Sequence, residues 1–346
     1  MKKQHTKVCL EILIILFFVF TVQVFIATEV SAQEKTFQFT FAGVLPKGSL
    51  TARSMDIFAE RVNSESNGRI QIKTIHGTTL GGEKELIESI RIGSLDGGCF
   101  GSVLGSFYPK IDIWNVPYLF RDDYWLNEIL KGHIGKELLD GLESINLKGL
   151  GYLRYGARGI GNNKRPINKP EDIKGLKIRT IENDMCVMAL EALGAVPVTM
   201  SVGDAIMGMR QKLVDGIDFP QACLNAFKID EMIKYFANTQ HTWSPVPIVI
   251  SMEKFKSLPT NLQKLLLKIG SEVGDYHCRV FLKQEETKDR YKTYEKLGDG
   301  VLFSDPDKEL FRMKCVPLYK KLRKQRPDLV GMMEEIMKVQ GIKLDW

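Results

Sequence analysis

Arg179 lies in the run Lys-Gly-Leu-Lys-Ile-Arg-Thr at residues 174–180, sharing a short strand pattern with Leu176, Ile178 and Ile181. A guanidinium held on a strand is a rigid fork that matches a carboxylate, so this residue predicts an acid-binding site. Pairing with Glu182 or Asp172 is the structural alternative. A second cation, Arg158, sits in Gly-Ala-Arg-Gly-Ile-Gly at residues 156–161. Its glycines let backbone approach a ligand closely; an interdomain or surface salt bridge is the competing role. Leu-Val-Asp-Gly-Ile-Asp-Phe-Pro at residues 213–220 follows, ending another apolar run in polar and aromatic groups. Such strand ends are where α/β folds build ligand sites.

Other chemistries lack their residues. The chain has no His-Glu-x-x-His, no Gly-x-Ser-x-Gly and no P-loop, and Gly159-Ile160-Gly161 meets Lys164 where a dinucleotide loop needs its third glycine. His76, His133, His241 and His277 are scattered. No Cys-x-x-Cys spacing supports zinc or redox chemistry, so no cofactor and no metal are expected. The cysteines after the leader (Cys99, Cys186, Cys223, Cys278, Cys315) are odd in number and are read mainly as small buried hydrophobes. The net charge of +6 is spread along the chain rather than gathered in blocks, which argues against nucleic acid as a partner.

Residues 1–32 have the form of a cleavable export signal. Lys2, Lys3 and Lys7 precede an unbroken apolar core from Ile12 to Phe20, and Val30-Ser31-Ala32 supplies a small-residue cleavage site. A retained anchor is the alternative, although Thr21 and Gln23 interrupt the apolar run. The expected location is the periplasm.

Past the leader, strand and helix patterns alternate. Phe37, Phe39 and Phe41 recur with period two, Met55, Phe58, Ala59 and Val62 with helical spacing, and Ile70 and Ile72 with period two again. A helix over residues 83–92 follows. This alternation predicts a mostly parallel sheet covered on both faces. A strand over 149–158 should leave that sheet, and a second series follows: a strand at 176–181, helices near 184–193 and 202–213, and an apolar returning strand at 245–252. Ser201 with Asp204, and Thr260 with Gln263, read as capping boxes. The second heads a helical pattern running to Lys296. Leu302-Phe303 marks a short strand, and Asp305-Pro306 suits the start of the next helix. A chain of this length exceeds the size at which single cores usually split.

The stretch from Lys174 to Pro220 resembles the solute-binding proteins of tripartite ATP-independent periplasmic (TRAP) transporters, the DctP-like family. Leu80-Gly81-Gly82 with Glu85-Leu86-Ile87, the run from Asn115 to Phe120, and Gly156-Ala157-Arg158 extend the likeness in order along the chain. The resemblance implies an α/β, two-domain periplasmic binding protein (type II-like) with a ligand cleft between domains and a long domain-spanning helix. Domain I is then expected at residues 33–155 and 245–284, and domain II at 156–244 and 285–346. It further implies a monomeric receptor, not an enzyme, that closes around a small organic anion and delivers it to membrane permease subunits. In such proteins an arginine matching Arg179 makes a bidentate bond to the ligand carboxylate, and one matching Arg158 assists.

This chain departs from that pattern at Phe219, where the family commonly carries an asparagine. Phe219 either packs in the core or lines the pocket against a ring or alkyl part of the ligand. Asp218 either accepts ligand hydroxyls or a cation, or joins a buried salt bridge with a nearby arginine. Glu182 and Asn183 resemble a pair in family members associated with sugar acids; N-capping of the next helix is the other role for Asn183. Thr78 and Thr79 are expected to contact ligand from the first domain. Trp114, Tyr118 and Trp243 are read as core or cleft wall.

Overall fold

Period-two phenylalanines place Phe37, Phe39 and Phe41 on one buried face of β1 (Phe37–Gly43). The computed structural model describes residues 35–286 and 300–342. The export signal expected at 1–32 and the helical pattern beyond residue 286 lie outside them. β1 pairs in parallel with β2 (Ile70–His76) and β3 (Gly97–Cys99). The crossovers run through α1 (Leu50–Glu65) and α2 (Glu83–Arg91), whose apolar stripes bury Met55, Phe58, Val62, Leu86, Ile87 and Ile90. Ser49 caps α1 by accepting from Ala52 N at 3.2 Å.

Two helices, α3 (Asp123–Lys131) and α4 (His133–Gly141), lead to β4 (Leu147–Asn162), a 16-residue strand that joins two sheets. Residues 147–157 of β4 pair antiparallel with β9 (Trp243–Ser251), which also flanks β3, completing the order β2-β1-β3-β9-β4. From residue 158 onward the same strand pairs antiparallel with β7 (Gly216–Pro220) and β8 (Tyr235–Ala237). β7 continues in parallel to β5 (Lys177–Thr180) and β6 (Val196–Thr199), while β10 (Leu302–Ser304) adds to β8.

The α/β class is as expected, but the sheets are mixed rather than mostly parallel. A chain that crosses to a second sheet on β4 and returns on β9 must run the two strands side by side in opposite directions. The glycines at 159 and 161 do not break the strand either; β4 runs through them to Asn162. Register shifts in the β4–β9 pairing fall between Gly149 and Gly151 and between Arg154 and Gly156.

In the second half, α5 (Asp184–Leu193) and α6 (Val202–Arg210) cover the β5-β6 edge. Helix α6 stops at Arg210, short of the expected 213, because Lys212 turns the chain with φ 59°. After α7 (Met252–Ser257), α8 (Thr260–Glu286) packs on β4 and α1. Thr260 is the first helical residue rather than its cap, so the expected box does not form; Leu262 and Gln263 donate instead to the Pro259 carbonyl. His277 pins α8 to its neighbours: Nδ1 lies 2.9 Å from Ser54 Oγ, and Nε2 lies 3.1 Å from Arg154 N. Burial pushes this imidazole down to about 4. The C-terminal helices are α9 (Lys308–Gln325), capped by Asp307 rather than Asp305, and α10 (Pro327–Val339). Cys99, Cys186, Cys223, Cys278 and Cys315 are all buried, as expected for most of them, and none is bridged.

Candidate functional site

Arg179 enters the interior because β5 is flanked by β6 and β7 and covered by helices; its side chain is 1% exposed. Neither expected partner holds it. Asp172 instead accepts from the backbone of Asn168 and Lys169. The guanidinium donates through Nε and Nη2 to the Met200 carbonyl, at 2.9 and 2.6 Å, while Nη1 is buried without a hydrogen-bond partner. So the Nε–Nη2 edge, which suits a carboxylate, is occupied by backbone. Burial, followed by repulsion from Arg158, lowers Arg179 to about 10, which leaves it cationic at neutral pH.

Arg158 and Asp218 face each other across the β4–β7 pair. Arg158 donates through Nε to Asp218 Oδ1 at 2.8 Å and through Nη2 to the Asp218 carbonyl at 2.8 Å. Asp218 also accepts from Thr180 Oγ1 at 2.6 Å and lies 3.2 Å from His241 Nε2. Of its two sequence readings, the buried salt bridge is the one formed. Burial raises the Asp218 carboxyl, but Arg158 and His241 more than reverse this and hold it well below the usual carboxylate range. Asp218 thus stands behind Arg158 and fixes the direction of its fork.

Both arginines line one cavity. Phe219 and Glu182 line it too, joined by Phe227, Cys223, Met200 and Tyr155. Phe219 is 5% exposed and meets Phe227 edge to face, with centroids 5.6 Å apart. Core and pocket were alternatives for this ring in the sequence; it does both.

Glu83 is the lining residue that sequence reasoning missed. It is the first residue of α2 and accepts from Gly101 N at 3.1 Å and Tyr155 Oη at 3.2 Å. Burial pushes its carboxyl up to about 7, against the opposing pull of those two donors and of Arg158 and Arg179. The available signal was its place directly after Gly81-Gly82 at a helix start. Gly82 also lets α2 approach α6, since a Cβ there would stand 3.1 Å from Ser201 Cβ.

Thr79 and Asn183 are not brought to the cavity. Thr79 is exposed on the turn Thr78–Leu80, and positive φ at Gly77 and Gly81 carries the chain past it to Glu83. Asn183 is buried and fully engaged. Its Oδ1 caps α5 by accepting from Cys186 N at 3.0 Å, and its Nδ2 donates to Asp112 Oδ1 at 2.6 Å and the Ser102 carbonyl at 2.9 Å. Beside it, Ser106 Oγ donates to the Glu182 carbonyl at 2.7 Å. Together these bonds fasten the loop after β3 to the head of α5. Gly105 makes that approach possible, because a Cβ there would lie 1.7 Å from Asp112 Oδ1. Among the described residues, no group of three or more His, Cys, Asp or Glu could hold a metal ion, and no helix is long and apolar enough to cross a membrane.

The model of bacterial extracellular solute-binding protein family 7 (DctP) matches residues 41–325. The 2,3-diketo-L-gulonate-binding periplasmic protein YiaO of Escherichia coli is 30% identical over 230 residues, covering 66% of this chain and 70% of that protein. A TRAP periplasmic solute binding protein from Pseudomonas putida F1, solved with bound D-glucuronate, is 28% identical with a TM-score of 0.80, covering 87% of this chain and 96% of that one. One from Sulfitobacter, with bound β-D-galacturonate, is 26% identical with a TM-score of 0.80 over 86% and 98%. With this extent of likeness, the chain belongs to family 7 of the bacterial extracellular solute-binding proteins, the solute receptors of TRAP transporters.

Proposed function

We propose that this receptor captures a small organic acid, of sugar-acid or keto-acid size, in the cavity at Arg158 and Arg179 and delivers it to the membrane permease subunits of a TRAP transporter. The observation that carries this reading is the pair of buried guanidiniums in one cavity, one of them with an unpartnered Nη1. The acid's carboxylate takes Nη1 and competes with the Met200 carbonyl for Nη2, while Arg158, already aligned by Asp218, supplies the second charge. Relatives solved with glucuronate and galacturonate support the ligand class.

In this reading residues 33–155 with 245–284 and residues 156–244 with 285–346 form two domains that close about β4 and β9. Ligand favours the closed form only by its differential affinity for it. The receptor works as a monomer in the periplasm after loss of residues 1–32, and carries out no covalent chemistry. Calorimetry with a panel of organic acids on the wild type and Arg179→Ala tests the site. Saturable binding by the wild type and none by a folded variant is expected; equal affinity in both would sink the assignment.

A further inference from the structure

We infer that the preferred acid has an alkyl or ring body with few hydroxyls, seated against Phe219 and Phe227. The inference rests on the carboxylate reading above and narrows it. Arg158 pairs across the strands with Pro220 and Gly159 with Phe219. The cavity is lined by the two arginines and by the rings of Phe219 and Phe227. Cys223 joins this lining as a neutral thiol, burial having pushed it up to about 12. Val44 and Val103 face it from the first sheet's side, Met200 and Val202 from the second's.

Most polar groups of the lining are already spent within the protein. Glu83 is held by Gly101 and Tyr155, Ser201 Oγ by Asp204, and Arg158 by Asp218. The buried lining atoms left without a partner are Arg179 Nη1 and Ser244 Oγ. Together with the Glu182 carboxylate, which also lines the cavity, they serve a carboxylate and few adjacent polar groups. A uronate or aldonate brings several more hydroxyls, and each one buried unpaired weakens binding on the order of tenfold. Phe219 offers only a ring face and edge, which favours C–H surface over hydroxyls.

Calorimetry on the mature chain with 2-hydroxy-4-methylpentanoate, phenyllactate and D-glucuronate, with 4-methylpentanol as the neutral control, tests this. At least one apolar-bodied acid is expected to bind ten or more times tighter than glucuronate. Phe219→Asn should reduce that ratio at least tenfold, whereas Phe219→Leu should keep it within about threefold. If Phe219→Asn does not fold, Phe227→Ala replaces it and should weaken the apolar acids alone. Tighter binding of glucuronate by the wild type, or an unchanged ratio in Phe219→Asn or its replacement Phe227→Ala, overturns the inference but leaves the carboxylate site standing. No binding by any acid, or binding of the alcohol alone, overturns both.

Discussion

Arg158 and Asp218, sixty residues apart in sequence, form a 2.8 Å ion pair with both side chains almost fully buried, 3% and 1% exposed. The acid is no ligand-binding group in this arrangement. It holds the fork of Arg158 while Thr180 and His241 satisfy its remaining lone pairs. Removing one member of such a pair leaves a buried charge uncompensated and costs about 3–5 kcal/mol. Asp218→Asn is therefore expected to lower the midpoint of denaturant unfolding with little change in its slope. It should also weaken anion binding by freeing Arg158. A variant of wild-type stability would show that the pair contributes nothing net.

Arg179→Lys separates charge from geometry. Lysine keeps the cation but loses the planar fork, and with it the simultaneous hold on the Met200 carbonyl and a ligand. Hydrogen bonds to charged groups contribute about 1.5–3 kcal/mol each, so affinity should fall roughly 10- to 100-fold. Titration calorimetry reads this directly. Full affinity in Arg179→Lys would mean that the positive charge alone suffices.

Glu83 makes stability depend on pH. Its folded pKa, about 7, lies above the ordinary 4.5, so the folded state holds its proton more tightly than the unfolded chain. That contribution is complete below about pH 4.5 and is lost as pH rises through 7. The span corresponds to at most about 3 kcal/mol. Glu83→Gln should accordingly be more stable than the wild type at pH 8, with the difference shrinking toward pH 5. Melting curves at the two pH values that shift in parallel for both proteins would refute this.

Gly105 is the tightest point between the loop after β3 and α5. Alanine there would drive a methyl into Asp112 and Asn183, whose bond and cap both need that space. Overpacking costs about 1–3 kcal/mol, with about another 1 kcal/mol if the Asn183 cap is lost. Gly105→Ala should unfold at lower denaturant and expose α5 amides to hydrogen exchange first. Asn183→Ser, which keeps a capping oxygen but not the Asp112 bond, should recover only the cap's share.

The apolar periodicities of β1, α1, β2 and α2 made the first sheet legible, because burial on one face imprints a period of two or 3.6 on the residues. Arg179 could be singled out locally, as a cation in an apolar strand, whereas Phe219 stood out only through the resemblance, as a departure from the family's asparagine. Glu83, Tyr155 and Ser244 could not. The helix start after Gly81-Gly82 marks the position of Glu83, but not that its carboxylate faces two guanidiniums more than seventy residues downstream.

Local order thus determined the α/β class and the cationic strand that marks an acid-binding receptor. Tertiary structure alone decided what each polar group is free to do. It paired Asp218 with Arg158, consumed Asn183 in a cap and a loop contact, gave one edge of Arg179 to Met200, and left Thr79 in solvent. Those outcomes depend on distances between strands far apart in the chain, where burial forces every donor and acceptor to find a partner or remain costly.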